Sequence, residues 1–80
     1  VEAGDFFQRE AEAVLRIVQP FQVHGALFYE IGFSLASDPP GSVRRARVSD
    51  NLVYTDPKPG DRVKIALLMG NVTRIVKSGA

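Results

Sequence analysis

Phe21-Gln22-Val23-His24-Gly25-Ala26-Leu27-Phe28-Tyr29-Glu30-Ile31-Gly32-Phe33-Ser34-Leu35 decides the fold. Its odd positions carry Phe21, Val23, Leu27, Tyr29, Ile31, Phe33 and Leu35, with Gly25 between them. Most of its polar side chains, Gln22, His24, Glu30 and Ser34, fall on even positions. Apolar residues at every second place mark a strand with one buried face. At ~3.3 Å per residue the stretch would span roughly 50 Å, too long for one straight strand in so small a domain. Gly25 and Gly32 are where it can bend or bulge. The reading is one bent strand, or two strands sharing a corner, forming the spine of a β-rich domain.

Upstream, residues 5–18 are predicted to be a helix. Asp5 can serve as N-cap with Gln8 three places on, and Phe7, Ala11, Val14, Leu15 and Val18 follow the spacing of one apolar helical face. Glu12 and Arg16 lie one turn apart, and Pro20 disfavours helix at Gln19. Downstream, residues 37–42 (Ser-Asp-Pro-Pro-Gly-Ser) are a turn by composition. Residues 43–48 are the next strand, with Arg44, Ala46 and Val48 on one face and Val43, Arg45 and Arg47 on the other. A short strand over 52–55 follows, then a proline-bearing turn over 56–61. Residues 62–77 close the chain as a hairpin. A two-residue turn at Gly70-Asn71 would set Lys64 opposite Lys77; a three-residue turn over Met69-Gly70-Asn71 would set Ile65 opposite Ile75.

The expected fold is therefore mostly β (α+β), one domain over residues 1–80. A helix at 5–18 packs on a five-stranded antiparallel, partly open barrel over 21–77, of the OB or SH3-like kind. An open antiparallel sheet with the helix on one face is the rival. Lys58-Pro59-Gly60-Asp61-Arg62-Val63-Lys64-Ile65, with a last strand ending Arg74-Ile75-Val76, resembles the closing segment of the S1/cold-shock, TRAM and other OB-type families. Leu67-Leu68-Met69-Gly70-Asn71-Val72 resembles the second Sm motif, with Met69 where an arginine is usual. The residues upstream do not fit the first Sm motif. Each resemblance covers a small part of the chain, so no family's functional residues are carried over.

Composition narrows the chemistry. The chain has no cysteine and one histidine, so thiol chemistry is excluded and no zinc or transition-metal set can be assembled from such residues. Carboxylates are not at calcium-loop spacing, and no phosphate-binding glycine loop or nucleophile motif is present. No catalytic residue, metal or cofactor is expected. His24 and Glu30 share strand parity, but on a straight strand they are nearly 20 Å apart, too far for proton transfer. Asn71-Val72-Thr73 matches a glycosylation sequon, a short motif with no other sign of secretion beside it. No stretch is long and apolar enough for a membrane span, and no signal peptide is expected at the N-terminus.

Charge is unevenly spread. Residues 1–40 carry Arg9 and Arg16 against Glu2, Asp5, Glu10, Glu12, Glu30 and Asp38, a net −4. Residues 41–80 carry Arg44, Arg45, Arg47, Lys58, Arg62, Lys64, Arg74 and Lys77 against Asp50, Asp56 and Asp61, a net +5. Such asymmetry marks either a polar partner surface or two halves that attract each other. Arg44, Arg47, Arg62, Lys64 and Arg74 would form a basic face if their strands adjoin, with Phe28 and Tyr54 available for stacking. The same residues would serve as a solvated face guarding sheet edges, the blander reading, or would meet an acidic protein partner. Phe6, Ile17, Phe28 and Leu68 fall outside the one-faced apolar pattern and are expected to dock a partner. The expected function is a non-enzymatic binding or assembly module within a protein complex or homo-oligomer, intracellular or in a larger assembly. The alternative is a single-stranded nucleic-acid binder using the basic strand face.

Overall fold

A computed structural model describes residues 8–78. Five antiparallel strands form one sheet: β1 (Gln8–Val23), β2 (Ala26–Leu35), β3 (Arg44–Ser49), β4 (Arg62–Leu68) and β5 (Asn71–Lys77). Their order is β3-β2-β1-β4-β5, which places the longest strand at the centre. A 3-10 turn over Asp50–Leu52 follows β3, and Val53 makes an isolated parallel bridge to Ile75 of β5. The sheet therefore curls, and the segment after β3 meets the opposite edge strand.

The expected helix over 5–18 is overturned from Gln8 onward, where the chain is β1; its first three residues lie outside the described residues, as does Phe6. Among the described residues there is no α-helix. The cause is a β-bulge. Leu15 pairs with Phe33 and Ile17 with Gly32, so Arg16 is an extra residue in β1. Before the bulge, Ala11, Ala13 and Leu15 face the core; after it, Val18 does, opposite Ile31. A core face running 11, 13, 15, 18 passes for helical spacing because the extra residue adds one to a period of two.

The spine stretch is corrected as well. It is not one bent strand: His24 and Gly25 form a two-residue turn, both at positive φ (52° and 84°), joining β1 to β2. Positive φ at both central residues is the geometry that fits the twist of paired strands, and glycine adopts it without steric cost. The predicted alternation holds in β2, where Ile31, Phe33 and Leu35 are buried.

The closing hairpin turns at Met69-Gly70, one residue earlier than the two-residue alternative and without the Asn71 of the three-residue one, again with both residues at positive φ (52° and 86°). An extra residue, Thr73, then restores the pairing of Ile65 with Ile75 and sets Lys64 opposite Val76 rather than Lys77. The predicted strand at 52–55 is absent; the 3-10 turn and the single Val53 bridge stand in its place.

All five strands supply the core. Leu15, Ile31, Val63, Ile65 and Ile75 are its fully enclosed members, joined by Val48 of β3. On the outer face, Ile17 lies across Gly32. A Cβ added at Gly32 would meet the Ile17 Cβ and Cδ1 at 3.0 Å and its Cγ1 at 3.1 Å. Gly32→Ala is therefore expected to cost about 1–3 kcal/mol in denaturant unfolding, as overpacking does. In an Ile17→Ala background, where two of those three atoms are gone, the same substitution should cost less. Equal costs in both backgrounds would place the strain elsewhere.

Candidate binding surface

The bulge also builds the most prominent outer surface. Beyond it, Ile17, Gln19, Phe21 and Val23 of β1 share a face with Ala26, Phe28, Glu30 and Gly32 of β2 and with Arg45 and Arg47 of β3. Phe21 pairs with Phe28 across the hairpin, and their rings stack with centroids 5.7 Å apart and planes at 22°. The Arg47 guanidinium stands 5.7 Å above the Phe21 ring, and its Nε donates to Glu30 Oε1 at 2.9 Å. Gln19, Pro20, Phe21, Glu30, Arg45 and Arg47 line a shallow cleft of about 450 Å³ there. The surface offers aromatic area, two guanidiniums and one carboxylate, which suits recognition and supplies no nucleophile–base pair.

The expected apolar patch does not assemble. Phe28 sits in the aromatic stack, and Ile17 is half-buried over Gly32 on the same face. Leu68 lies at the other end of the sheet, opposite Gln8, beside the Met69-Gly70 turn. Phe6 lies outside the described residues. The partner of Phe28 is instead Phe21, which parity counting from position 21 assigned to the core. Reading His24-Gly25 as a hairpin turn would have paired 21 with 28.

The expected basic face is likewise divided. Arg44 falls on the Phe33 side of β3 and forks onto Asp38 through Nε at 2.8 Å and Nη2 at 3.1 Å. That hydrogen bond holds the Asp38 carboxyl below its usual range. Arg47 is on the outer face with Glu30. Arg62 and Lys64 lie on β4, with Lys64 3.8 Å from Glu12 of β1, and Arg74 is on β5 opposite Ala66. Strand β1, carrying Glu10 and Glu12, runs between the two basic groups. Arg45, which the expected set omitted, shares the outer face with Arg47; among the described residues no carboxylate pairs with it.

Tyr54, the other expected stacking residue, is engaged elsewhere. Its hydroxyl donates to Asp61 Oδ2 at 2.6 Å, and the backbone N–H of Lys58 donates to the same oxygen at 3.1 Å. Lys77 Nζ lies 5.9 Å over the Tyr54 ring. Burial and then the carboxylate push the Tyr54 hydroxyl upward, and the Tyr54 hydrogen bond holds Asp61 down. This arrangement ties the 56–61 loop to the end of β5. His24 is exposed in its turn, and Glu30 is occupied by Arg47. Among the described residues no group of three or more metal-ligating side chains converges. No helix of the described structure is long and apolar enough to cross a membrane.

Compared with known proteins, the chain matches no family model, no curated protein and no solved structure.

Because Asp61 is depressed in the folded state, its contribution is fully present above the unfolded carboxyl value of 3.8 and is lost as pH falls through the folded value below it. Thermal unfolding of Asp61→Asn should therefore show a lowered Tm at neutral pH. The gap from the native protein should close on acidification below 3.8. A gap that persists unchanged in acid would remove the carboxylate as its source.

Proposed function

We propose that the protein is a non-enzymatic binding and assembly module that docks through the outer face of its β1–β2 arm. The curled sheet serves as a partly open barrel of the OB kind. Strand order and the parallel Val53–Ile75 bridge, which brings the chain after β3 onto β5, support that reading. One observation carries the functional proposal: the arm extends beyond β4, which covers only the first half of β1. The β4 ladder on β1 ends at Val14 opposite Arg62, and Leu15 exchanges backbone hydrogen bonds with Asp61 and Gly60 at 2.9 and 2.7 Å. From Arg16 to Val23, β1 is paired on its β2 side alone among the described residues. β3 backs β2 as far as Phe28, so only the tip from Gln22 to Leu27 is two-stranded, an arrangement marginal in water, and here the arm presents the Phe21–Phe28 stack and a Val23 side chain that is 43% exposed.

The arm's backbone edge is not the docking element. The two-residue turn makes Val23 and Ala26 a hydrogen-bonded pair, so Val18, Pro20 and Gln22 direct their backbone toward the open edge. Pro20 has no N–H to offer there, which blocks strand addition in the middle of that edge. Docking through side chains of the outer face is what remains. A place within a larger assembly, inside the cell, fits this reading.

A second reading, single-stranded nucleic-acid binding, draws on the Arg47 guanidinium over the stacked rings with Arg45 beside it. It is the weaker one because Glu30 already neutralises Arg47, Asp38 holds Arg44 on the opposite face, and Arg62, Lys64 and Arg74 lie on β4 and β5.

Sedimentation velocity over a wide concentration range tests the first reading. The native chain should sediment faster as concentration rises. Val23→Glu, an exposed change on the same face, should weaken self-association by about tenfold or more, as truncating an interface anchor does. Phe28→Ser should do the same while circular dichroism shows the sheet intact. A monomer at every concentration would refute self-assembly through the arm.

A further inference from the structure

Another cleft among the described residues lies at the seam between the edge strands β3 and β5, sharing Arg45 and Arg47 with the cleft beside the aromatic stack. We infer that this seam is a docking site for an acidic peptide segment of a partner protein that carries an apolar anchor residue. Three features make the case. First, the walls are basic: Arg44, Arg45 and Arg47 all line the cleft, whose volume is about 280 Å³. Two of these guanidiniums already hold carboxylates, Asp38 on Arg44 at 2.8 Å and Glu30 on Arg47 at 2.9 Å. The chain's own acids thus show which ligand chemistry these arginines accept. Arg45, with no carboxylate among the described residues, is the position left for a partner's acid.

Second, apolar side chains underlie the cleft. Phe33, Leu67 and Val72 lie at the base. The volume falls just short of the ~300 Å³ at which small-molecule sites begin, so it suits a side chain on a longer ligand. Third, among the described residues the β3 edge facing the seam carries no ladder; β3 pairs with β2, and the Val53–Ile75 bridge lies beyond it. Its backbone groups are open to a partner, while three arginines discourage a second copy of the same strand. A nucleic acid fits less well. Phe33 is 3% exposed and offers no ring for a base, and Asp38 and Glu30 would oppose a phosphate chain.

Titration of the isotopically labelled full chain at low salt tests this. The probe is a synthetic peptide of glutamates flanking a single leucine, with an oligothymidylate as comparator. Amide shifts should cluster at Arg44–Arg47 and Gly70–Val72. Arg45→Glu should weaken peptide binding by about tenfold or more, in keeping with loss of a close charge pair. Arg45→Gln, a milder change at the same exposed position, should weaken it less and in the same direction. Arg62→Glu, which makes the same charge change on β4, should leave binding within about twofold, since distant surface charges are screened by salt. No binding at low salt, shifts spread over β4 and β5 outer residues, or equal losses in Arg45→Glu and Arg62→Glu would each overturn the proposal. Tighter binding of the oligothymidylate at these same amides would overturn it in favour of nucleic acid. Shifts confined to Phe21, Val23 and Phe28 would overturn it while leaving the arm as the docking element.

Discussion

The structure depends on one extra residue in its central strand. Arg16 is accommodated between Leu15, opposite Phe33, and Ile17, opposite Gly32. Without it the period of two would continue, sending Val18 and Pro20 outward and turning Ile17, Gln19 and Phe21 toward the core. With it, Leu15 and Val18 both serve the core, and Phe21 is released to stack on Phe28 outside. Bulges bend and twist a strand. Here the bulge coincides with the place where β4 stops covering β1 and the arm begins. Gly32 completes the device, because the phase change lays Ile17 across a position that has no room for a side chain.

The same residue explains what was legible in the sequence. The alternation of Ile31, Phe33 and Leu35, the strand at β3 with its face assignment, and strand β4 could be read because nothing interrupts the period where their core residues are set. In β1 the interruption sits among alanines, which favour helix, and valines, which favour strand, so propensity does not decide between the two. Two short regular runs spliced out of phase then imitate one helical face. The turns failed for a different reason. His24 and Met69 take positive φ beside a glycine, a conformation that non-glycine residues adopt uncommonly, so composition marks the glycine of each turn more clearly than the residue before it. Once the first turn was missed, Phe21 could not be matched with Phe28, and the most prominent part of the candidate surface stayed hidden.

Charge placement follows from pairing rather than from a single basic face. The N-terminal half is acidic and the C-terminal half basic, and the ion pairs of the sheet join one to the other: Asp38 to Arg44, Glu30 to Arg47 and Glu12 to Lys64. Glu30 lies directly opposite Arg47 in the β2–β3 ladder, and Glu12 directly opposite Lys64 in the β1–β4 ladder. Exposed pairs of this kind contribute about 0–1 kcal/mol each, too little to hold a fold together. Their larger effect is on register, since a one-residue slip would turn each partner to the other face. The asymmetry that looked like a partner surface is in good part the two halves of one chain recognising each other.

What remains unspent lies along the seam where the sheet curls back on itself, and its two ends differ in kind. At one end Val53 bridges to Ile75, Tyr54 holds Asp61, and Lys77 covers the Tyr54 ring, so backbone, hydrogen bond and cation all close the gap. At the other end Arg44, Arg45 and Arg47 face Asn71 and Val72 across a cleft, with no ladder between the strands. Crowding three guanidiniums on one short strand works against drawing that end tight, because like charges in a confined, partly dry space repel more strongly than in open water. Asp38 and Glu30 relieve two of them from the flanks and leave the seam open between. A gap that is closed at one end and kept basic at the other end costs sheet hydrogen bonds that a fully zipped edge would recover, and a carboxylate supplied from outside is the charge that would offset that loss.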